Sequence, residues 1–373
     1  MRTTQRSRRN HGAAKDCGWM SEREGFMKVN GLAKDFIIVG ENIHTTRVVL
    51  RNGKRVTTSE AGAEAVVYTC SDGTTQHLVI PEEIKRSQDY EEGRVKHVKI
   101  AVNAAMSDRE PEASEGLEYL RSLVRRQEKT GADFLDLNVD EISLRPAEQK
   151  SAMQWLVRTV QGMTTLPVSI DSSNIEIIQK GMEACDIKAG RPLLNSASLE
   201  RLEALDLARQ HNSPVIVTAA GEKGMPQSDE ERVVNASRMV DAALAKGIAI
   251  HDIYIDALVF PISVDSQFGN HCLQAIRRLR EKYGPEVHIT GGLSNVSFGL
   301  PCRHLINDAF IILATEAGAD SGIIDPVASH LDKVFSIERQ SRPFQLAEEM
   351  LLGKDRNCKN FLRAYRKGEL QMQ

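Results

Sequence analysis

The chain has 373 residues, of which 41% are hydrophobic and 27% charged, with a formal net charge of −3. That is the balance of a soluble globular protein long enough for one large domain or two medium ones, and it gives no general attraction to nucleic acid or to a membrane. No stretch approaches the roughly 18 apolar residues of a membrane span.

The first 33 residues begin with a basic stretch that lacks the apolar core of a secretory signal. They read as a disordered tail, or as sequence upstream of a true start at Met27. A single domain is expected over 34–373. "DFIIVGENI" (35–43) opens it as a strand.

Residues 47–100 break the rhythm. "TRVVLRNGKRVT" sets Asn-Gly between β-branched runs, and "EAVVYTCSDGTTQHLVIP" does the same with Asp-Gly. Both are hairpin signals. An inserted β-hairpin subdomain is expected over one end of the main fold, either as a lid or docking element or as decoration.

"ASEGLEYLRSLVRRQEKTG" (113–131) is a helix, and strict alternation follows. Strands at 132–139, 166–171, 191–198, 213–219, "HDIYIDAL", "EVHITGG" and 319–325 are separated by helical segments. The helix at 228–247 starts with an acidic cap. Eight short apolar strands alternating with helices imply a parallel sheet with helical crossovers. In about 300 residues that count suggests an α/β fold of the closed (β/α)8 TIM-barrel type, with a doubly wound open sheet as the alternative.

The six cysteines (Cys17, Cys70, Cys185, Cys272, Cys302, Cys358) are scattered and form no C-x-x-C pair. No disulfide framework or zinc site is expected, and a reducing cytoplasm is the default.

In such a barrel the chemistry collects where strands end. The polar residues there are Glu41 and Asn42, Asp136 and Asn138, Asp171, Asn195, Asp256, Ser294 and Asn295, and Asp320 and Asp325. This is a ring of carboxylates and carboxamides without Lys or Arg at the strand ends. Ser172, Asn174 and Ser198 are equally suited to helix caps. Asp171, Asn195 and Asp256, however, come from three strands at matching depth, which capping does not require. Such a ring suits the edge of a flat heterocycle with several N–H donors. Three carboxylates holding Mg2+ or Mn2+ are the rival, but no basic cluster for a phosphate accompanies them, and no metal is expected.

Taken together, "VGENIHTT", "FLDLNV", "IDSSN", "LLNSAS", "YIDALVFPISVD" and "GGLSNVSFGLP" resemble, in that order, the pterin-binding methyltransferases. These include methyltetrahydrofolate:corrinoid methyltransferases and the folate domain of cobalamin-dependent methionine synthase. The resemblance covers 35–325. It implies that Asp171, Asn195 and Asp256 hold the pyrimidine edge of a pterin, with Asp136 as a pocket carboxylate that supports the site; Glu41 and Asn138, at the ends of their strands, are expected to bind the pterin as well. It also implies that Asn295 reaches N5, the nitrogen that carries the methyl group.

A carboxamide can donate to N5 without being an acid, and a flexible Gly-Gly loop would let it swing. The alternative for Asn295 is a plain turn residue. Phe298, Gly299 and Leu300 are expected to form an apolar wall. Tetrahydrofolate or 5-methyltetrahydrofolate is the implied substrate. The implied acceptor or donor is a corrinoid (cobalamin) on a separate protein, because no His here stands in the D-x-H-x-x-G pattern of a corrinoid carrier. A homodimer is implied as well.

The chain departs from the family at Asn42 and His44, where G-E-R-I-N is usual, and at Ala257, where proline is usual. His44 either contacts substrate or corrinoid or fills a turn. A dihydropteroate synthase-like enzyme and a non-catalytic pterin-binding protein are the alternatives. The former usually has basic residues in its last strands, and none is found there.

Overall fold

Short segments rich in Ile, Val and Leu, most of them four or five residues long, form the eight parallel strands of a computed structural model, which describes residues 36–59, 61–70 and 72–370. The expected tail at 1–33 lies outside the described residues. The strands are β1 (Ile37–His44), β2 (Phe134–Asn138), β3 (Val168–Asp171), β4 (Leu193–Ala197), β5 (Val215–Thr218), β6 (Ile253–Asp256), β7 (His288–Thr290) and β8 (Ser321–Ile324). They lie in the order β7-β6-β5-β4-β3-β2-β1-β8. The two ends of the sheet meet through a parallel bridge between Gly292 and Ile323, and Ile323 N donates to Gly291 O at 2.9 Å. The sheet is therefore a closed barrel, not a doubly wound open sheet.

Helices α1 (Glu112–Lys129), α2 (Pro146–Gln161), α3 (Ile175–Ala184), α4 (Glu203–Gln210), α5 (Asp229–Ala245), α6 (Phe268–Tyr283) and α7 (Arg303–Ala317) follow the first seven strands in turn. The acidic start of α5 is as expected: Ser228 caps it by accepting from Glu231 N at 3.2 Å, and Asp229, Glu230 and Glu231 fill its first turn.

Strand periodicity sorts the side chains. Successive residues face opposite sides of a strand, so every second one points into the barrel. Ile37, Val39, Phe134, Leu193, Ile216, Tyr254 and Ile323 form a separate apolar cluster, the plug inside the barrel. Their neighbours Ile38, Leu135, Leu194, Val217, Ile255 and Ile324 belong to the outer core beneath the helices. Two residues beyond the plug, on the same inward side, stand Glu41, Asp136, Asn195, Thr218, Asp256 and Asp325. Period 2 alone puts an apolar floor under a polar mouth.

The same register corrects one expectation. Asp320 precedes β8 and sits at the opposite end of the barrel. There it accepts from Ile289 N at 2.8 Å, contacts His288 Nδ1 at 3.0 Å and pairs with Arg280. It tethers the closed end and plays no part in the mouth.

The insertion also differs from its sequence reading. Glu64–Thr69 and Thr75–Val79 do form the Asp-Gly hairpin, but Val56–Thr58 joins them as a third strand. Val49–Leu50 pairs instead with Arg94–Val95. Asn52-Gly53 therefore closes no hairpin. A two-residue type I′ turn needs positive φ at both positions, and neither residue has it.

The three-stranded sheet leans on the flank of α1, not across the barrel mouth. Tyr68 meets Tyr119 edge-on, with ring centroids 4.8 Å apart. Arg55 Nη2 donates to Tyr119 Oη at 2.6 Å, and Tyr119 Oη lies 2.8 Å from His97 Nδ1. Burial, aided by the nearby arginines, drives the His97 pKa well down and keeps it neutral. Among the described residues no helix is long and apolar enough to cross a membrane.

Candidate functional site

The mouth is organised by strand register. His44 pairs with Asn138, Asn138 with Asp171, and Asp171 with Asn195, so four polar residues from β1 to β4 stand in one row. Their side chains join. Asn138 Nδ2 donates to Asp171 Oδ2 at 2.9 Å. One layer below, Asp136 is fully buried, with His44 Nε2 2.9 Å from its Oδ2 and Asn195 Nδ2 3.4 Å from both its oxygens. Nitrogen and oxygen atoms of His44, Asp136 and Asp171 lie within 4.8 Å of one another.

Burial and the neighbouring charge of Asp136 push the Asp171 pKa well above the usual carboxylate range, against the pull of His44 and Asn138. On His44, burial favours the neutral ring. The hydrogen bond to Asp136 and the charges of Asp136, Asp171 and Glu41 outweigh it and raise the imidazole above 6.5.

Asp256 closes the arc from the far side. Its Oδ1 accepts from Leu258 N at 2.8 Å, across a turn in which Leu258 takes a left-handed φ of 61°. Gly291 lies against this carboxylate: a Cβ there would be 3.3 Å from Asp256 Oδ1. Burial lifts the Asp256 pKa to about 6, opposed by the Leu258 N–H and by Arg232. Arg232 is a fully buried guanidinium behind the turn. Its Nε donates to Ala257 O at 3.1 Å and its Nη1 to Ser228 O at 3.0 Å. With Ala257 in place of a proline, the turn is held from outside by this side chain.

Glu41 belongs to a second group. Arg47 reaches back from the insertion to Glu41 Oε1 at 3.2 Å and also to Asp325, which accepts from Asn42 Nδ2 at 2.9 Å. Glu41, Arg47, Asp325 and Asn295 line a cavity of about 450 Å3, which also takes in His44, Phe298 and Arg303.

Asn295 does not ride on a loose loop. Residues Leu293–Ser297 form a 3-10 turn with Leu293, Val296 and Ser297 buried. Arg303 clamps that turn, donating to Ser294 O at 3.0 Å and Ser297 Oγ at 2.9 Å while lying over the Phe298 ring at 4.5 Å. The carboxamide itself folds back over Gly292, with Nδ2 2.8 Å from where a Cβ would stand. Any swing is thus confined to the side chain. Phe298 is 46% exposed at the rim, so the expected apolar wall is open to solvent on one side.

The structure brings Asp136, Asn138, Asp171 and Asn195 into direct contact, with Asp256 across the mouth and Glu41 and Asn295 in the adjoining cavity. Asn174 proves to be a helix cap, accepting from Glu176 N at 2.9 Å. The expectation of a mouth without cations is corrected: Arg47 and Arg303 both reach it. They come from the insertion and from α7, so a reading confined to strand ends passes over them. His44 is no turn filler either, since it closes β1 and contacts Asp136.

The pterin binding enzyme family matches residues 82–325 of this chain. A methylcorrinoid:tetrahydrofolate methyltransferase of Eubacterium limosum is 30% identical over 257 residues, which span 68% of this chain and 89% of that protein. A methionine synthase of Mycobacterium leprae (strain TN) is 29% identical over 252 residues, 64% of this chain but only 20% of that protein. Among solved structures, the dihydropteroate synthase of Xanthomonas albilineans in complex with 7,8-dihydropteroate superposes with a TM-score of 0.49 at 22% identity, covering 62% of this chain and 87% of that one.

Proposed function

Because the chain belongs to the pterin binding enzyme family, we propose that it moves a methyl group between N5 of tetrahydrofolate and a corrinoid carried by a separate protein. The observation that carries this reading is the polar arc itself: Asp171 paired in register with Asn195 over a buried Asp136, with Asp256 at the end of β6, beside a cavity that holds Asn295.

In this reading the carboxylates of Asp171 and Asp256 accept N–H bonds from the pyrimidine edge of the pterin, and the carboxamide of Asn195 completes the recognition. Asn138 fixes Asp171 through its 2.9 Å bond. Buried carboxylates with raised pKa values gain most from such donors, because a charge already stripped of water is repaid by directed hydrogen bonds. Asn295, on its clamped turn, donates to N5 as the N5–carbon bond changes. Glu41, held by Arg47, shapes the adjoining cavity and does not touch the pyrimidine edge.

The corrinoid supplies or accepts the methyl group when its carrier docks over the mouth. The rim there is apolar in places, with Leu50, Leu144, Met225, Val264 and Phe298 exposed. Physiological direction is not set by the site, because one transition state serves both ways. The protein is further proposed to work in the cytoplasm as a homodimer. Sedimentation equilibrium of a strict monomer would contradict the dimer.

The test is a division of roles. Asp171→Ala should abolish binding of 5-methyltetrahydrofolate. Asn295→Ala should bind it within a few-fold of wild type but transfer the methyl group about 10²- to 10³-fold more slowly. Equal loss of binding in both variants would remove the distinction on which the mechanism rests.

A further inference from the structure

His44 stands at the boundary between the polar arc and the cavity that holds Asn295. Its Nε2 faces Asp136 Oδ2 at 2.9 Å, which leaves Nδ1 as the second ring nitrogen. The ring itself lines the cavity. One ring nitrogen is thus fixed by a buried carboxylate while the ring borders the substrate space, an arrangement that suits an imidazole to proton transfer. We propose that His44 is the group that exchanges a proton with the substrate nitrogen as that nitrogen gains or loses its methyl group. This rests on the methyl-transfer reading above.

The chemistry calls for such a group. From methyltetrahydrofolate, the carbon–N5 bond breaks with its electron pair left on N5. The methyl carbon bonds to the electron pair of the reduced corrinoid, and the proton from His44 Nδ1 leaves N5 as a neutral amine. In the other direction the N5 lone pair takes the methyl carbon, the original bonding pair stays with the corrinoid, and the N5 proton passes to neutral His44. Asn295 donates a hydrogen bond in either direction, but a carboxamide does not give up its proton near neutral pH.

The other titratable groups around His44 are less suited. Asp136 from β2 is committed to the His44 ring and Asn195, and Asp171 from β3 to Asn138. Glu41 on the same strand and Asp325 after β8 are both paired with Arg47. Arg303 on α7 keeps its charge, and His304 on the same helix is exposed. Burial opposes the charged ring, but the hydrogen bond to Asp136 and the charges of Asp136, Asp171 and Glu41 outweigh it and raise the pKa above the ordinary value.

The test compares wild type with His44→Asn and His44→Gln. Isothermal titration with 5-methyltetrahydrofolate in two buffers of different ionisation heat gives affinity and the number of protons exchanged. Single-turnover spectra with tetrahydrofolate and free methylcobalamin, from pH 5.5 to 8.5, give the pH–rate profile.

The expected result is binding within about threefold of wild type, a rate about 10²- to 10⁴-fold lower, and loss of both the proton count and one limb of the profile. His44→Asn with the wild-type proton count and profile would overturn the inference. So would a folded His44→Asn that no longer binds folate, because His44 would then only position the pterin. Failure of the wild type to bind folate would instead overturn the methyl-transfer reading, and this inference with it. If the wild type binds folate but free methylcobalamin is not turned over, the proton count decides.

Discussion

Replacing Asp256 by Asn should make the protein more stable and functionally worse. Asn keeps the shape and the bond that matters locally, because its carbonyl oxygen still accepts from Leu258 N, 2.8 Å from Oδ1 in the wild type. What changes is the charge. In the unfolded chain the carboxyl titrates near 3.8, and in the folded protein burial lifts it to about 6. The folded state therefore binds the proton more tightly. Stability tied to this group is fully present below pH 4, is lost as pH rises towards 6, and stays lost above that.

The full displacement corresponds to about 3 kcal/mol at pH 8. The group faces the open mouth, so about 1–2 kcal/mol is the realistic gain for Asp256→Asn. That is a rise in melting temperature of a few degrees. At pH 4 the gain should vanish. Loss of the charged acceptor should meanwhile weaken 5-methyltetrahydrofolate binding by about 10²-fold or more, at roughly 1.5–3 kcal/mol for each charge-assisted bond. Thermal unfolding at pH 4 and 8, with calorimetric titration at pH 8, measures both effects. A folded variant that is less stable than wild type at pH 8, or that binds folate as well as wild type, would refute the reasoning.

Two other outcomes follow from the same geometry. Folate affinity should fall as pH drops through about 6 and Asp256 takes up a proton, with Asp171 adding to the same limb; Arg232→Met removes the cation that favours the Asp256 carboxylate and should move the limb to higher pH, and an unmoved limb would sever that link. Tyr119→Phe breaks the Arg55–Tyr119–His97 chain and should cost about 1–2 kcal/mol, with faster amide exchange across 47–100 and unchanged folate affinity; a more than threefold loss of affinity would couple the insertion to the mouth.

Much of this was legible because strands report themselves in pairs of residues. "FLDLN", "LLN", "YID" and "IID" each place an apolar plug residue two positions before a polar mouth residue, and the parallel register then sets Asn138, Asp171 and Asn195 side by side. Position along a strand was enough to find them. It was not enough for Asp320, which has the right residue type but stands before its strand and so at the wrong end.

Arg47 and Arg303 were missed for a different reason. Long side chains reach the mouth from an insertion and from a helix, and their destination depends on tertiary packing. The Asn52-Gly53 turn misled because the flanking runs found better partners elsewhere, Val49–Leu50 with Arg94–Val95 and Val56–Thr58 with Glu64–Thr69. Gly291-Gly292 suggested a flexible loop. The buried Leu293 and Val296 and the Arg303 clamp make it a fixed turn, with the glycines serving close approach to Asp256 and Asn295.

The central claim is a pterin pocket at the mouth of this barrel. It is tested most directly by calorimetric titration of the purified protein with 5-methyltetrahydrofolate and with tetrahydrofolate, without added metal. The account predicts saturable binding of at least one of them, lost in Asp171→Ala. A folded wild-type protein that binds neither would contradict it, and would mean that the changes at Asn42, His44 and Ala257 have turned the polar arc to another ligand.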